Sequence, residues 1–183
     1  MGAPTTLADP PVTYPALPAA AGLEPDLFRA AMRYLAAPVV VVTVADGPTG
    51  FTASSLASVS LAPPLVSFGV DRTAGSAPAV CRAPAFAVNL LGADQAELAA
   101  RFARRGADRF GPPTRWEPGP DGLPLLTDAL GHLVCRRHRV LALGDHWLVV
   151  GLVTAFGTGE GSAAGPLLYH DRRYGGFTER RAG

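Results

Sequence analysis

Residues 39 to 45, Val-Val-Val-Val-Thr-Val-Ala, constrain the fold more than any other stretch. A β-branched run with no polar alternation packs poorly in a helix and well in a pleated sheet, so it reads as a buried strand. Asp46-Gly47-Pro48 is its turn, and Gly50 to Ser55 is expected to return antiparallel. Comparable short runs follow at Leu65–Val70, Ala85–Leu91, Leu133–Leu143, Trp147–Phe156 and Leu167–Tyr169, and Arg172–Phe177 closes the ordered part. Gly144-Asp145 marks a compact hairpin turn between the two longest.

Helical spacing is confined to three places. Pro25 suits a helix start, Leu27, Phe28, Ala31 and Leu35 recur on one face, and Pro38 ends the element. Ser76 is placed to cap a short helix running to Arg82. Asp94 and Glu97 resemble a capping box for a helix to Arg105, with Gly106 as its stop. Residues 111 to 124 are Pro- and Gly-rich and loop-like, with Trp116 as an anchor. Many closely spaced strands and few helices predict a mainly β barrel with helices against its outside. No repeat or linker divides it. The expected organisation is a Pro/Ala-rich mobile tail over residues 1–22, one domain over 23–178 and a short tail over 179–183.

Composition removes whole classes of function. With 48% hydrophobic and 17% charged residues, a substantial core is available. A net charge of +1 gives no general attraction to nucleic acid or an anionic membrane. All sixteen basic residues are Arg, so a Schiff-base lysine, a phosphate-loop lysine and a lysine base are excluded. The N-terminus shows no basic region followed by an apolar run, and Pro38–Val44 is too short to span a bilayer. A soluble cytoplasmic protein is expected.

Several motifs fail on inspection. Gly157, Gly159, Gly161 and Gly165 resemble a dinucleotide loop, but Ser162 occupies the third glycine position and no helix follows. The alternative is a flexible hairpin loop. His132, His138 and His146 lack partners spaced as in a zinc site, and Cys135 and His138 fall on opposite faces of a strand. No metal is expected, and His138 and His170 read as surface residues. Cys81 and Cys135 belong to no CxxC motif and read as small buried hydrophobes. No GxSxG elbow surrounds a serine. Arg101 and Arg104 read as solvated, whereas the fork of Arg109 suits a phosphate.

Gly50 to Leu65, GFTASSLASVSLAPPL, is unusual because Thr52, Ser54, Ser55, Ser58 and Ser60 alternate with apolar residues. Each buried hydroxyl needs a partner. Two readings fit: a neutral pocket wall for a large, polar-edged ligand, or a short strand followed by a Ser-rich turn. Ser58 and Ser60 read as supporting or turn residues.

Three blocks in register decide between these. GFTASSLASVSLAPPLVSFGV, AFAVNLLGADQAELAARFARRGADRF and LVCRRHRVLALGDHWLVVGLV resemble the flavin reductase family over about residues 27 to 175. The likeness is strongest to small reductases that serve two-component monooxygenases, including those of aromatic and polyketide metabolism. The resemblance implies a six-stranded antiparallel Greek-key split barrel of FMN-binding type, with flanking helices, assembled as a homodimer with flavin at the subunit interface. It implies NAD(P)H-dependent reduction of FMN or FAD, with reduced flavin handed to a partner monooxygenase. Positions matching the family's flavin contacts are Thr52, Ala53, Ser54, Ser55, Phe68, Gly69, Val70, Asp71, Ser76, Asn89, Leu90, Arg109 and Phe110. His146 matches the residue placed near the nicotinamide, and Tyr174 matches a common terminal tyrosine. The chain departs from the family in Ala37-Pro38-Val39 where a Pro-x-Gly turn is usual, and in having only Arg for a phosphate-side cation.

The chemistry agrees with that implication. Hydride passes from nicotinamide C4 to flavin N5 without a protein nucleophile, so the protein must stack two rings at roughly 3 to 3.5 Å. A hydroxyl-lined wall satisfies the flavin's pyrimidine edge without burying a charge, and nearby backbone N–H groups stabilise negative charge that develops on reduction. His146 either orients the nicotinamide amide or fixes its own hairpin. Two alternatives on the same barrel are a flavoprotein acting on an organic substrate and a non-catalytic flavin- or haem-binding module.

Overall fold

The computed structural model describes residues 22–161 and 165–179. The expected tails fall almost wholly outside these residues, as does Ser162. By its contacts the chain forms two units, one ending at Met32 and one running from Arg33. The first contributes helix α1 (Pro25–Met32), which carries an Asp26–Arg29 ion pair. The helix stops short of the expected Pro38 because the next residues are committed elsewhere. The Arg33 carbonyl accepts from Asp171 N, and Ala37–Pro38 pairs as a strand.

The second unit runs β1 (Ala37–Pro38), β2 (Val40–Val44), β3 (Thr49–Ala53), β4 (Ala57–Leu61), β5 (Pro64–Asp71), α2 (Ala77–Arg82), β6 (Ala85–Leu90) and α3 (Ala96–Ala103). It continues with β7 (Trp116–Pro118), β8 (Pro124–Leu126), β9 (Gly131–Leu143), β10 (His146–Thr158), β11 (Leu167–His170) and β12 (Arg173–Gly176). The principal sheet has seven antiparallel strands in the order β3-β2-β6-β9-β10-β5-β4. That is one more than the resemblance implies. The stretch from Gly50 to Leu65 supplies two strands, β3 and β4, where one of its two sequence readings gives a strand and a turn. Small sheets β1-β11-β12 and β7-β8 flank it.

Every residue of β2 is buried, as its unbroken β-branched run predicts. Val40, Val42 and Val44 enter the barrel interior with Phe68, Phe86, Val88, Cys135 and Val149. Val39 and Val41 face a second core with Phe102 and Ala99 of α3, Leu91, Leu126 and Leu167. Inside the barrel, Phe51, Phe68 and Phe86 form a chain of rings with centroids 6.0 and 5.2 Å apart, the second pair edge-to-face. The same burial pushes the Cys135 thiol up to about 12, so it behaves as an inert hydrophobe.

Two expectations change here. The Asp94/Glu97 capping box does not form: α3 begins at Ala96 after Gln95, whose side-chain oxygen turns back to accept from Gly92 N at 2.8 Å. The glycines at 159 and 161 do not make a loose hairpin loop. Gly159 N donates to Leu130 O and Gly161 N to Ala129 O. A Cβ on Gly159 would lie 2.0 Å from Ala129 O, so these glycines permit close backbone packing.

Gly151 makes a similar allowance for the aromatic chain. A Cβ there would fall 2.2 Å from Phe86 Cζ, and Phe86 is fully enclosed. Gly151→Ala is therefore expected to lower stability by about 2–3 kcal/mol through overpacking, seen as a lower urea midpoint with an unchanged m-value.

Candidate active site

The edges of the principal sheet, β3 and β4, are consecutive in the chain and joined by Ser54-Ser55-Leu56. Where this connection approaches β5, Ser55 Oγ accepts from Gly69 N at 2.9 Å. The Ser55 hydroxyl proton remains available to a ligand. A cleft of about 570 Å³ opens beside this seam.

One wall comprises Thr52, Ala53, Ser54 and Ser55; opposite it lie Gly69, Val70 and Asp71, followed by Ser76 at the entry to α2. Thr52 also donates to the Ala99 carbonyl at 2.6 Å, pinning α3 to β3, so its hydroxyl serves the scaffold. Ser76 makes no side-chain capping bond to α2. Asp71 accepts from Thr73 N at 2.7 Å and Thr73 Oγ1 at 2.8 Å, which turns the chain sharply after β5. These two bonds, backbone first, hold its carboxyl below the usual range, and His146 and Arg105 add to the effect.

His146 enters from the β9–β10 hairpin. Register pairs it with Asp71 and pairs Leu148 with Gly69. A Cβ built on Gly69 would lie 3.5 Å from both His146 Cδ2 and Ser55 Oγ, so glycine leaves the gap between them open. His146 Nδ1 lies 2.7 Å from Asp145 Oδ1. This bond is the main reason the Asp145 carboxyl sits below its ordinary value. An ionised carboxylate only accepts, so Nδ1 is the donor in this contact, and in the neutral tautomer that leaves Nε2 as an acceptor.

Arg109 and Arg105 line another part of the cleft. Arg109 Nη2 donates to Arg104 O at 2.8 Å, while its buried Nε has no partner among the described residues. Arg101 is not simply solvated: it donates to Pro112 O at 3.2 Å and so ties the following loop to α3.

Phe68, Asn89, Leu90 and Phe110 are not among the residues that line this cleft. Strand alternation turns Phe68 into the barrel, against Phe86. Asn89 is fully buried; its Nδ2 donates to Val41 O and Thr43 Oγ1, and its Oδ1 accepts from Leu126 N. Leu90 packs on the interior core. Phe110 stacks edge-on against Phe102 and Trp116, one layer behind the cleft wall. Trp116 Nε1 donates to Phe110 O, so the expected anchor role of Trp116 is met. Tyr174 pairs with Tyr169 at 5.3 Å and packs on the outer core, where burial raises its hydroxyl pKa.

Sequence reasoning missed Phe51, Phe102, Leu143, Trp147 and Leu148, which also line the cleft. Pairing β10 against β5 from the Gly144-Asp145 turn would have placed Trp147 and Leu148 opposite Val70 and Gly69. Among the described residues, no group of three or more His, Cys, Asp and Glu is placed to hold a metal. No helix among them is long and apolar enough to cross a membrane.

A neutral hydroxyl wall beside an arginine with a spare buried donor fits a ligand that has an uncharged, acceptor-rich ring and an anionic tail. Flavin mononucleotide has those features, and the residues present suit it.

Comparison with known proteins agrees. The family model described as "Flavin reductase like domain" matches residues 32–178. A relative from Streptomyces pristinaespiralis, an NADH:riboflavin 5'-phosphate oxidoreductase, is 44% identical over 162 residues, covering 86% of this chain and 90% of its own. The reductase subunit of a flavin-dependent monooxygenase from Rhodococcus jostii is 35% identical over 161 residues, covering 87% and 81%. The solved structure of an NADH:FAD oxidoreductase from Streptomyces globisporus, in complex with NAD and FAD fragments, superposes with a TM-score of 0.78 at 34% identity, covering 85% and 93%. The protein is thus a split-barrel oxidoreductase by fold and site. It belongs to the flavin reductase family.

Two expectations follow from this geometry. Asn89→Ala should lower stability by about 2–4 kcal/mol, because it strands buried partners on β2 and β8, while the folded protein keeps its ligand affinity in a titration. Asp71 should titrate below 3.8 by carboxyl-carbon NMR, and Thr73→Ala should move its midpoint partway back. Because the folded value is depressed, the turn's contribution is present above 3.8 and fades as pH falls through the folded value.

Proposed function

We propose that the protein takes hydride from NADH or NADPH and delivers it to FMN or FAD, and that reduced flavin leaves to serve a separate monooxygenase. The observation that carries this reading is the meeting of three features in one cleft: the Thr52–Ser55 wall, the open floor at Gly69 and the His146 ring beside it. The 44% identical relative named as an NADH:riboflavin 5'-phosphate oxidoreductase supports the reaction. The monooxygenase reductase subunit supports the partner.

Bound flavin supplies the hydride acceptor. The protein's own work is to hold and orient. Ser54 and Ser55 offer hydroxyls and adjoining backbone groups to the ring edge, and Gly69 leaves room for stacked rings. Arg109, through its free Nε, takes the phosphate side. His146, with Nδ1–H fixed on Asp145, presents Nε2 as an acceptor for the nicotinamide carboxamide N–H. In this reading it orients the donor without supplying an obligatory proton. Phe51, Phe102 and Trp147 keep the walls dry, which strengthens each polar contact.

The assembly we propose is a homodimer with flavin at the subunit interface. Its support is the exposed apolar surface along the sheet, at Val59 and Leu61 of the edge strand β4 and at Leu143 and Phe156 of β9 and β10. The location we propose is the cytoplasm, where reduced nicotinamide nucleotides are available.

Purified protein mixed anaerobically with NADH or NADPH and FMN or FAD should bleach the flavin absorbance near 450 nm, about the usual flavin maximum. No bleaching with any pair would refute the assignment. His146→Ala should lower nicotinamide-dependent kcat/KM by about ten- to a hundredfold while flavin affinity changes less than about threefold. Equal losses would make His146 a structural residue of its hairpin.

A further inference from the structure

Arg72 is the first residue beyond β5 and does not line the cleft. Its side chain nevertheless makes two contacts with the hairpin that carries His146. Nη1 donates to Gly144 O at 3.2 Å. The guanidinium carbon sits 4.9 Å from the centroid of the Trp147 ring. These contacts fall on either side of Asp145-His146. The Arg72 backbone adds a third hold, its N–H donating to Asp145 O at 3.0 Å, one step beyond the Asp71–His146 register pair.

We propose that Arg72 is a positioning residue for His146, clasping the tip of the β9–β10 hairpin so that the ring stays beside Gly69 in the cleft. The inference rests on the hydride-transfer reading for its catalytic consequence, but not for the clasp itself. The chemistry of the side chain explains why arginine suits the place. A planar guanidinium can lay its face on an indole ring while an edge N–H reaches a carbonyl in its plane, and an ammonium cannot do both. The hairpin needs such a hold because its tip is a two-residue turn, with Gly144 at φ +57° and Leu143 half exposed. Residues 142 to 146 are all exposed, so little packing holds the tip in place. His146 and Trp147 both face the cleft from just past that turn, so rocking displaces the ring that would meet the nicotinamide.

The backbone bond from Arg72 survives any substitution, which lets variants isolate the side chain. In the full-length protein, Arg72→Gln should reduce kcat/KM for NADH by about five- to twentyfold, with KM for FMN changed less than about twofold. Arg72→Lys, which keeps a cation for the Trp147 ring but loses the fork, should lie between Arg72→Gln and the parent. Hydrogen exchange supplies a readout independent of hydride transfer. Amides of residues 144 to 147 should exchange about five- to twentyfold faster in Arg72→Gln, with β2 amides unaffected. If the parent protein reduces no flavin, the functional reading fails while exchange at the tip still judges the clasp. Unchanged tip exchange in Arg72→Gln, parallel losses toward FMN and NADH, or full recovery by Arg72→Lys would each overturn the proposal.

Discussion

A sheet whose two edge strands are neighbours in the chain must somehow join them, and three residues are too few for a regular ladder. In this protein the join is made by side chains. Ser55 Oγ receives Gly69 N across the seam, and Phe51 meets Phe68 behind it at 6.0 Å. The barrel is closed against water on its inner face by aromatic contact and left open on its outer face by the missing ladder. Unpaired strand edges are normally a liability. Here they become the cleft, with hydroxyls and backbone groups already exposed toward a ligand.

Everything else in the second unit holds that seam at its working width. Asn89 fastens β6 to β2 and to the start of the segment leading into β9. Thr52 spends its hydroxyl on α3, and Gly50 lets Phe102 of that helix come within 2.9 Å of where a Cβ would sit. The Asp71–Thr73 turn sends the chain toward Ser76, and the β9–β10 hairpin brings His146 back to the same place. The asymmetry of charge follows from these choices. Carboxylates of Asp71 and Asp145 flank the histidine, while Arg105 and Arg109 stand along the same cleft, so an electrically neutral ring and an anionic group have distinct places to lie.

Much of this was legible in the sequence, and the failures have physical causes. The β2 run, the Asp46-Gly47 and Gly144-Asp145 turns and the two later helices carry strong local signals. Strand β4 does not: four of its five residues are exposed, and its hydroxyls mimic a turn. The capping box does not form because the helix starts at Ala96, which makes Gln95 rather than Asp94 the residue at its cap. Likeness groups Phe68 and Asn89 with the cleft residues, and linear order does not reveal which face of a strand a side chain takes without the partner register. Once Gly69 is paired with Leu148, Phe68 must point inward. Trp147 and Leu148 were missed for the complementary reason, since they reach the cleft through long-range pairing. Gly159 and Gly161, which the sequence assigns to a flexible hairpin loop, instead allow close packing on the carbonyl of Ala129.

The seam bond between Ser55 and Gly69 has a wider meaning. One wall, β3, is held by its ladder to β2, and the other, β5, by its ladders to β10 and β4, so the gap between them is set by those separate ladders and by the Ser55 bond to Gly69. Selectivity is then separable from aperture. Substitutions along the rim can retune which nucleotide tail is welcomed without altering the slot that accepts a flat ring. A lineage built on this plan can thus diversify its flavin preference by small edits at the perimeter, keeping the same slit throughout.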